Sequence, residues 1–271
     1  MAYDWPPLTP GDADAIALRV AAVLEEAWQR LAAKQKRVLD MMERQPRGRH
    51  AVITLEEFKR AIEAFRREVD SEAQAFVRRQ LPHLYEQGAQ FAARSMGLQF
   101  TWTTFHRDAL LSLATDSYAD FLRRSEEAER MASKFYRAAR AAARREVPLL
   151  AAGNMTAKHA AKNLADRLAA EYKLTHVVYR NGARVPVRAW AEAATLAKSA
   201  VAYNAGTLNR TREAGVTHVE VFDGFDCGWT SHQDPDKANR TLRRVDEAAE
   251  WPISHPRCRR AFGPRPDRVG L

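Results

Sequence analysis

Apolar positions recur every three or four residues through most of the first 150 residues, the spacing that places them on one face of an α-helix. Ile16, Val20, Val23, Leu24, Ala27 and Leu31 make the first stripe. Asp12 or Asp14 stands where an N-cap is needed, and the helix is expected to run to about Met42, where "RQPRGRH" gathers Pro, Gly and charge into a breaker. Thr54 with Glu57 three residues on has the spacing of a capping box, each side chain satisfying the other's backbone donor. A second helix is expected from there, with Phe58, Ile62, Phe65, Val69 and Phe76 on one face. Pro82 is expected to kink or restart it and Gly97 to end it. A third begins at Thr103 or Thr104, carries Leu110, Leu113, Tyr118, Phe121 and Leu122, and reaches about Arg145 before Pro148 and "AAGN". Three long helices with short breakers over residues 11–148 predict an antiparallel bundle or hairpin stack.

Beyond Gly153 the pattern changes. "MTAKHAAKNLADRLAAEY" reads as a short helix capped by Thr156, and "THVVYRNGARVPV" as a β-hairpin around Asn181-Gly182. "RAWAEAATLAKSAVAYNAGTLNRTREAG" is helical again and ends at Gly215. "THVEVFDG" reads as a strand with alternating inward positions, stopped at Gly224. The expected fold is mainly α with a small α+β C-terminal domain. A long-helix bundle over residues 1–150 precedes residues 151–271, which hold helix, hairpin, helix, strand and a closing Cys/His knot.

Composition supports a folded chain: 46% hydrophobic residues supply a core, and 28% charged residues suit exposed helix. A formal net charge of +9 should draw the surface toward polyanions. Lys134, Arg137, Arg140 and Arg144 lie at steps of three or four, first of all a solvated helix face, or else a strip for nucleic acid or an acidic partner. The N-terminal residues are acidic and proline-bearing where a signal peptide needs a basic end and an apolar run, so none is expected. No run of about 18 apolar residues predicts a membrane span. Two cysteines make no disulfide framework, which fits synthesis in a reducing cytoplasm.

Those two cysteines each have a histidine nearby. Cys227 and His232 form Cys-x4-His, and His255 and Cys258 form His-x2-Cys, two short pairs that can supply a tetrahedral zinc ion with four ligands. Two other readings stand beside this one. The thiols can be small buried apolar groups while the histidines bond carbonyls, or His232, Asp234, Asp236, Asn239 and His255 can form a metal-dependent nuclease site. The hairpin and helix such a nuclease needs are not in the pattern, and Pro256 favours an extended or turn conformation at His255. No Gly-rich phosphate loop, Gly-x-Ser-x-Gly elbow or His-Glu-x-x-His helix is present, so no enzyme is expected.

Asn204, the Gly215-Val216 turn, the strand into "DG", Cys227 and the closing His255-Pro-x-Cys258-Arg259 follow one another in an order that resembles the C-terminal domain of Mu F-like minor capsid proteins, the head morphogenesis family of tailed phages. The resemblance covers about residues 150–267 and rests mainly on the last stretch of the chain. It implies a virion component made in the host cytoplasm and located in the phage head. Such a protein associates with the portal protein and the capsid interior, and acts in head assembly and in DNA packaging or delivery. Non-specific contact with packaged DNA would suit the positive charge, and no membrane partner is implied. Many members carry Cys-x2-Cys where this chain has Cys227-Gly-Trp-Thr230, and Cys-Arg-Cys where it has Cys258-Arg-Arg260. His232 is then the natural replacement ligand beside Cys227, His255 and Cys258 for a structural Zn²⁺. A nuclease or toxin-like effector carried in the head is the alternative.

Overall fold

The computed structural model describes residues 11–44, 49–144, 157–179, 181–223 and 238–268. The fold is mainly α with a small antiparallel sheet near the C-terminal end, the expected class. Helix α1 (Gly11–Arg44) and α4 (Thr104–Arg144) fall where the apolar stripes place them. Helix α2 (Arg49–Ala75) does not begin at Thr54. It starts a turn earlier, and the Thr54 hydroxyl bonds the His50 carbonyl within the helix at 2.9 Å. Ala51 and Leu55 are buried and extend the stripe through Phe58, Ile62 and Phe65, so burial outweighs the capping-box spacing.

A π-helical turn (Phe76–Gln80) joins α2 to α3 (Leu81–Ser95). The Leu81 N–H reaches back to the Phe76 carbonyl, and Pro82 follows within the first turn of α3. A proline inside a regular helix lacks a donor and strikes the carbonyl four residues before it; one wider π turn ahead of the ring accommodates both faults without ending the helix. Gly97 does end α3, at φ +70°, with the Leu98 N–H on the Ala93 carbonyl (2.8 Å) and the Gly97 N–H on that of Arg94 (3.0 Å). This Schellman closure requires the left-handed conformation that glycine adopts without strain.

Helix α5 (Ala157–Glu171) is followed by strands β1 (His176–Val178) and β2 (Arg184–Pro186), paired antiparallel with Val177 opposite Val185. The Asn181 side chain accepts the Ala183 N–H at 3.1 Å, the turn chemistry read from the sequence. Thr156, the expected cap of α5, lies outside the described residues, as does the boundary expected at residue 150.

After the long helix α6 (Val187–Glu213), β3 (His218–Phe222) forms the middle of a sheet with β4 (Leu242–Arg244) on one side and β5 (Ala261–Pro264) on the other, both antiparallel. Between the last two runs α7 (Val245–Glu250). Neither β4 nor β5 is evident from alternation, since each is three or four residues long. The alternation expected of β3 holds on one face only. Val219 and Val221 join Leu208, Val245, Ala248 and Phe262 in an apolar cluster, while Glu220, on the other face, is also buried and is held by Arg265 at 2.9 Å.

The chain divides into two compact units, each built from separated stretches: Met1–Ala22, Gln74–Ala119 and Ala191–Leu271 in the first, Val23–Ala73 and Asp120–Trp190 in the second. The second unit is a helical core. Trp28 meets Phe65 edge-on at 4.5 Å and Trp190 at 5.5 Å, and Phe58 meets Phe135 at 5.2 Å. The first unit carries the sheet and a close crossing of α3 on α6. A Cβ added at Gly88 would lie 1.9 Å from the Tyr203 carbonyl oxygen, and one added at Gly206 would lie 2.0 Å from that of Tyr85. Two glycines thus let the backbones touch, and the Thr207 hydroxyl bonds the Gly88 carbonyl across the contact at 3.2 Å.

Candidate functional site

The His255-to-Cys258 segment lies between α7 and β5, where the Cys258 N–H closes a turn on the His255 carbonyl at 2.9 Å. Cys258 is buried and His255 is half-buried. Cys227 and His232, the other two expected ligands, lie outside the described residues. Among the described residues no group of three or more His, Cys, Asp or Glu side chains is placed to hold a metal ion. The described turn carries one thiol and one imidazole, two donors of the kind zinc takes.

What fixes this turn is a polar frame. Both N–H groups of the Asn204 amide are used, one on the Pro252 carbonyl and one on the Arg260 carbonyl, each at 2.8 Å. The Arg260 guanidinium grips Asp223 through Nε (2.6 Å) and Nη2 (3.0 Å) and bonds the Trp251 carbonyl through Nη1 (3.0 Å). Asn239 accepts the Asp223 N–H at 3.1 Å. Helix α6 and the end of β3 therefore hold the segment on both sides of Cys258. Of the nuclease candidates, Asn239 is occupied with backbone, and His232, Asp234 and Asp236 lie outside the described residues.

A second constellation in the same unit was invisible in the sequence. Tyr85 on α3, His106 on α4 and Glu213 at the end of α6 form a chain. The Tyr85 hydroxyl is 2.8 Å from His106 Nδ1, and His106 Nε2 is 3.0 Å from Glu213. Asn209 donates to the phenol oxygen at 2.9 Å, so the phenol proton goes to Nδ1 and the imidazole proton to the carboxylate. Thr103 and Arg210 complete the Glu213 oxygens at 3.0 and 3.1 Å. Tyr85 and His106 are fully buried. The residue types are those of a proton relay, but the bonds linking Tyr85, His106 and Glu213, with those from Asn209 and Thr103, run between helices or their flanks, and the chain ties three helices together.

Burial pushes the Tyr85 hydroxyl up to about 12, reinforced by the Glu213 charge and opposed by the Asn209 N–H. A raised folded value means that the native state keeps its proton after the unfolded chain has lost one. Stability should therefore fall as pH rises from about 10 through about 12, by roughly 3 kcal/mol at about 1.4 kcal/mol per unit. Urea unfolding across that range should show a larger loss in the wild type than in Tyr85→Phe, where the Tyr172 hydroxyl, also raised, still contributes; equal slopes would sink the assignment. Burial also raises the Glu213 carboxyl, but hydrogen bonds from His106 and Thr103 with the charge of Arg210 outweigh it and hold the group below its ordinary 4.5. That contribution is present above pH 4.5 and is lost as acid protonates the folded carboxylate. Glu213→Gln should shrink the stability difference between neutral and acid pH, read by thermal melts.

No protein-family model, curated protein or solved structure matches this chain. The basic row on α4 is exposed at Lys134, Arg137 and Arg140 and alternates with buried Ala132, Phe135 and Ala139, the arrangement of a solvated helix face. No helix among the described residues is long and apolar enough to cross a membrane.

Proposed function

We propose that the protein is a minor capsid component of a tailed phage, working in head assembly at the portal vertex and in DNA packaging or delivery. The observation that carries this reading is the use made of the residues behind the family resemblance. Asn204 holds two carbonyls of the closing segment, Gly215 closes α6 at φ +75°, Asp223 anchors Arg260, and Cys258 is buried beside them. They act as a frame, which is what a structural head module asks of them. The helical region is the part that meets the portal protein and the capsid interior, and the net charge of +9 suits a place beside packaged DNA.

Within this reading Cys227, His232, His255 and Cys258 bind one structural Zn²⁺ that closes the knot. Elemental analysis of purified protein should give about one zinc per chain, falling toward zero in Cys227→Ser and in Cys258→Ser, with a lower melting temperature. Equal metal content in wild type and variants would remove the zinc claim. For the head protein itself, mass spectrometry of purified particles encoded with this chain should find it in a few copies per head. Its absence from heads, or Mg²⁺-dependent DNA cleavage abolished by a folded His255→Ala, would overturn the reading.

A further inference from the structure

The first unit also carries a groove apart from the closing segment and from the Tyr85, His106 and Glu213 chain. One wall is the end of α2 with the π turn, presenting Gln74, Val77 and Arg78, continued by Pro82. The other is α4, presenting Leu110, Leu111, Ala114 and Tyr118. On each wall the lining residues recur at steps of three or four, so each makes a stripe of about 12 Å at 1.5 Å per residue. Trp102 closes one end, and its ring is stacked at 5.7 Å on buried Tyr85, which ties the floor to the His106 and Glu213 chain. The cavity measures about 600 Å³. It is mostly apolar, and Leu111, 66% exposed at its edge, is continuous there with the apolar lining of Val77, Leu110 and Ala114.

Charge says what covers it. Among the described residues, the charged side chains lining the groove are Arg78 and Arg107, and no carboxylate lines it. Both are exposed; Arg107 bonds the Trp102 carbonyl at 3.3 Å, and among the described residues neither guanidinium is paired with a carboxylate. The π turn contributes here as well: it keeps α2 running past Val77 and Arg78 into Pro82, so one wall continues unbroken through the proline. Two helical stripes with a trough between them take a third helix by ridges into grooves. Two guanidiniums at the rim select carboxylates, which they hold by charge-assisted hydrogen bonds.

We infer that this groove docks an amphipathic helix of a partner protein, with apolar residues at i, i+3 or i+4, and i+7 facing Val77, Trp102 and Ala114, and with Asp or Glu meeting Arg78 and Arg107. The inference uses only the groove and stands whether or not the chain is a head protein.

The test is a selection of helix-forming display peptides on the folded full-length protein, followed by fluorescence anisotropy with the winning peptides. Winners should carry the apolar spacing with flanking acids and bind with a Kd on the order of micromolar. Ala114→Arg, which fills the trough from a half-exposed position, should abolish binding while melting with the wild type. Arg78→Glu with Arg107→Glu should weaken acidic winners about tenfold and favour Lys-flanked versions of the same peptides. The proposal falls if no peptide is enriched, if winners lack either the spacing or the acids, or if Ala114→Arg binds as well as the wild type. It also falls if light scattering shows a homodimer that Ala114→Arg dissolves, or if oleate displaces every winner, since a second copy or a simple amphiphile would then be the occupant.

Discussion

Gly206→Ala is expected to cost the protein about 3 to 5 kcal/mol and to abolish the native packing of α3 on α6, although alanine is the better helix former. The added Cβ would sit 2.0 Å from the Tyr85 carbonyl oxygen and 2.9 Å from its carbon. These are backbone atoms, which cannot rotate aside as a side chain can, so the helices must separate by more than an ångström. Separation breaks the Thr207 bond to the Gly88 carbonyl and stretches the Asn209 bond to Tyr85. It also opens voids around Leu84 and Tyr203, where dense packing supplies most of the dispersion energy. Gly88→Ala should behave alike, because its Cβ meets the Tyr203 carbonyl at 1.9 Å. Gly11→Ala is the control, with nothing within 4 Å of the added carbon, and should be neutral. Urea unfolding followed by circular dichroism measures all three. A loss below about 1 kcal/mol in Gly206→Ala would mean that the crossing is looser than described.

Breaking the Asp223–Arg260 pair is the second large effect. Both side chains are 2% exposed, so solvent cannot stand in for a missing partner. Asp223→Ala strips a buried guanidinium of both its bonds to that carboxylate; Arg260→Ala leaves the buried carboxylate without them. Each single change should cost about 3 to 5 kcal/mol. Replacing both residues with apolar side chains of similar volume should recover much of that loss, since the desolvation of two charges disappears with them. A double replacement no better than the singles would show that the pair fixes the backbone of the closing segment as well as balancing charge. The same variants bear on the zinc proposal, because Arg260 is two residues from Cys258 and the Asn204 amide holds its carbonyl.

How legible the protein was depends on the range of the interaction concerned. The long helices follow from apolar spacing, which is local. The ends of α3 and α6 follow from Gly97 and Gly215, because each cap needs a positive φ that few other residues adopt. The β1–β2 hairpin follows from Asn181-Gly182 for the same kind of reason. The capping-box spacing at Thr54 does not start α2, because that local signal competes with burial of Ala51 and Leu55 and loses. For the candidate site, His255 and Cys258 could be named from spacing, but the frame around them could not. The Asn204 and Asp223 side chains find their partners 37 to 56 positions away, and Trp251 and Arg260 carry no local pattern that announces them.

Sequence alone determined the course of the long helices, the glycine stops of α3 and α6, the β1–β2 hairpin and strand β3, because each of those outcomes is decided within a few residues; the pairing of β3 with β4 and β5 was not among them. Only the tertiary structure decided that Glu220 is buried, that Tyr85, His106 and Glu213 join, and that Gly88 and Gly206 face each other's backbones. Those outcomes belong to pairs of residues separated by tens to more than a hundred positions, and a buried polar group or a bare glycine declares its purpose only when its partner is brought against it.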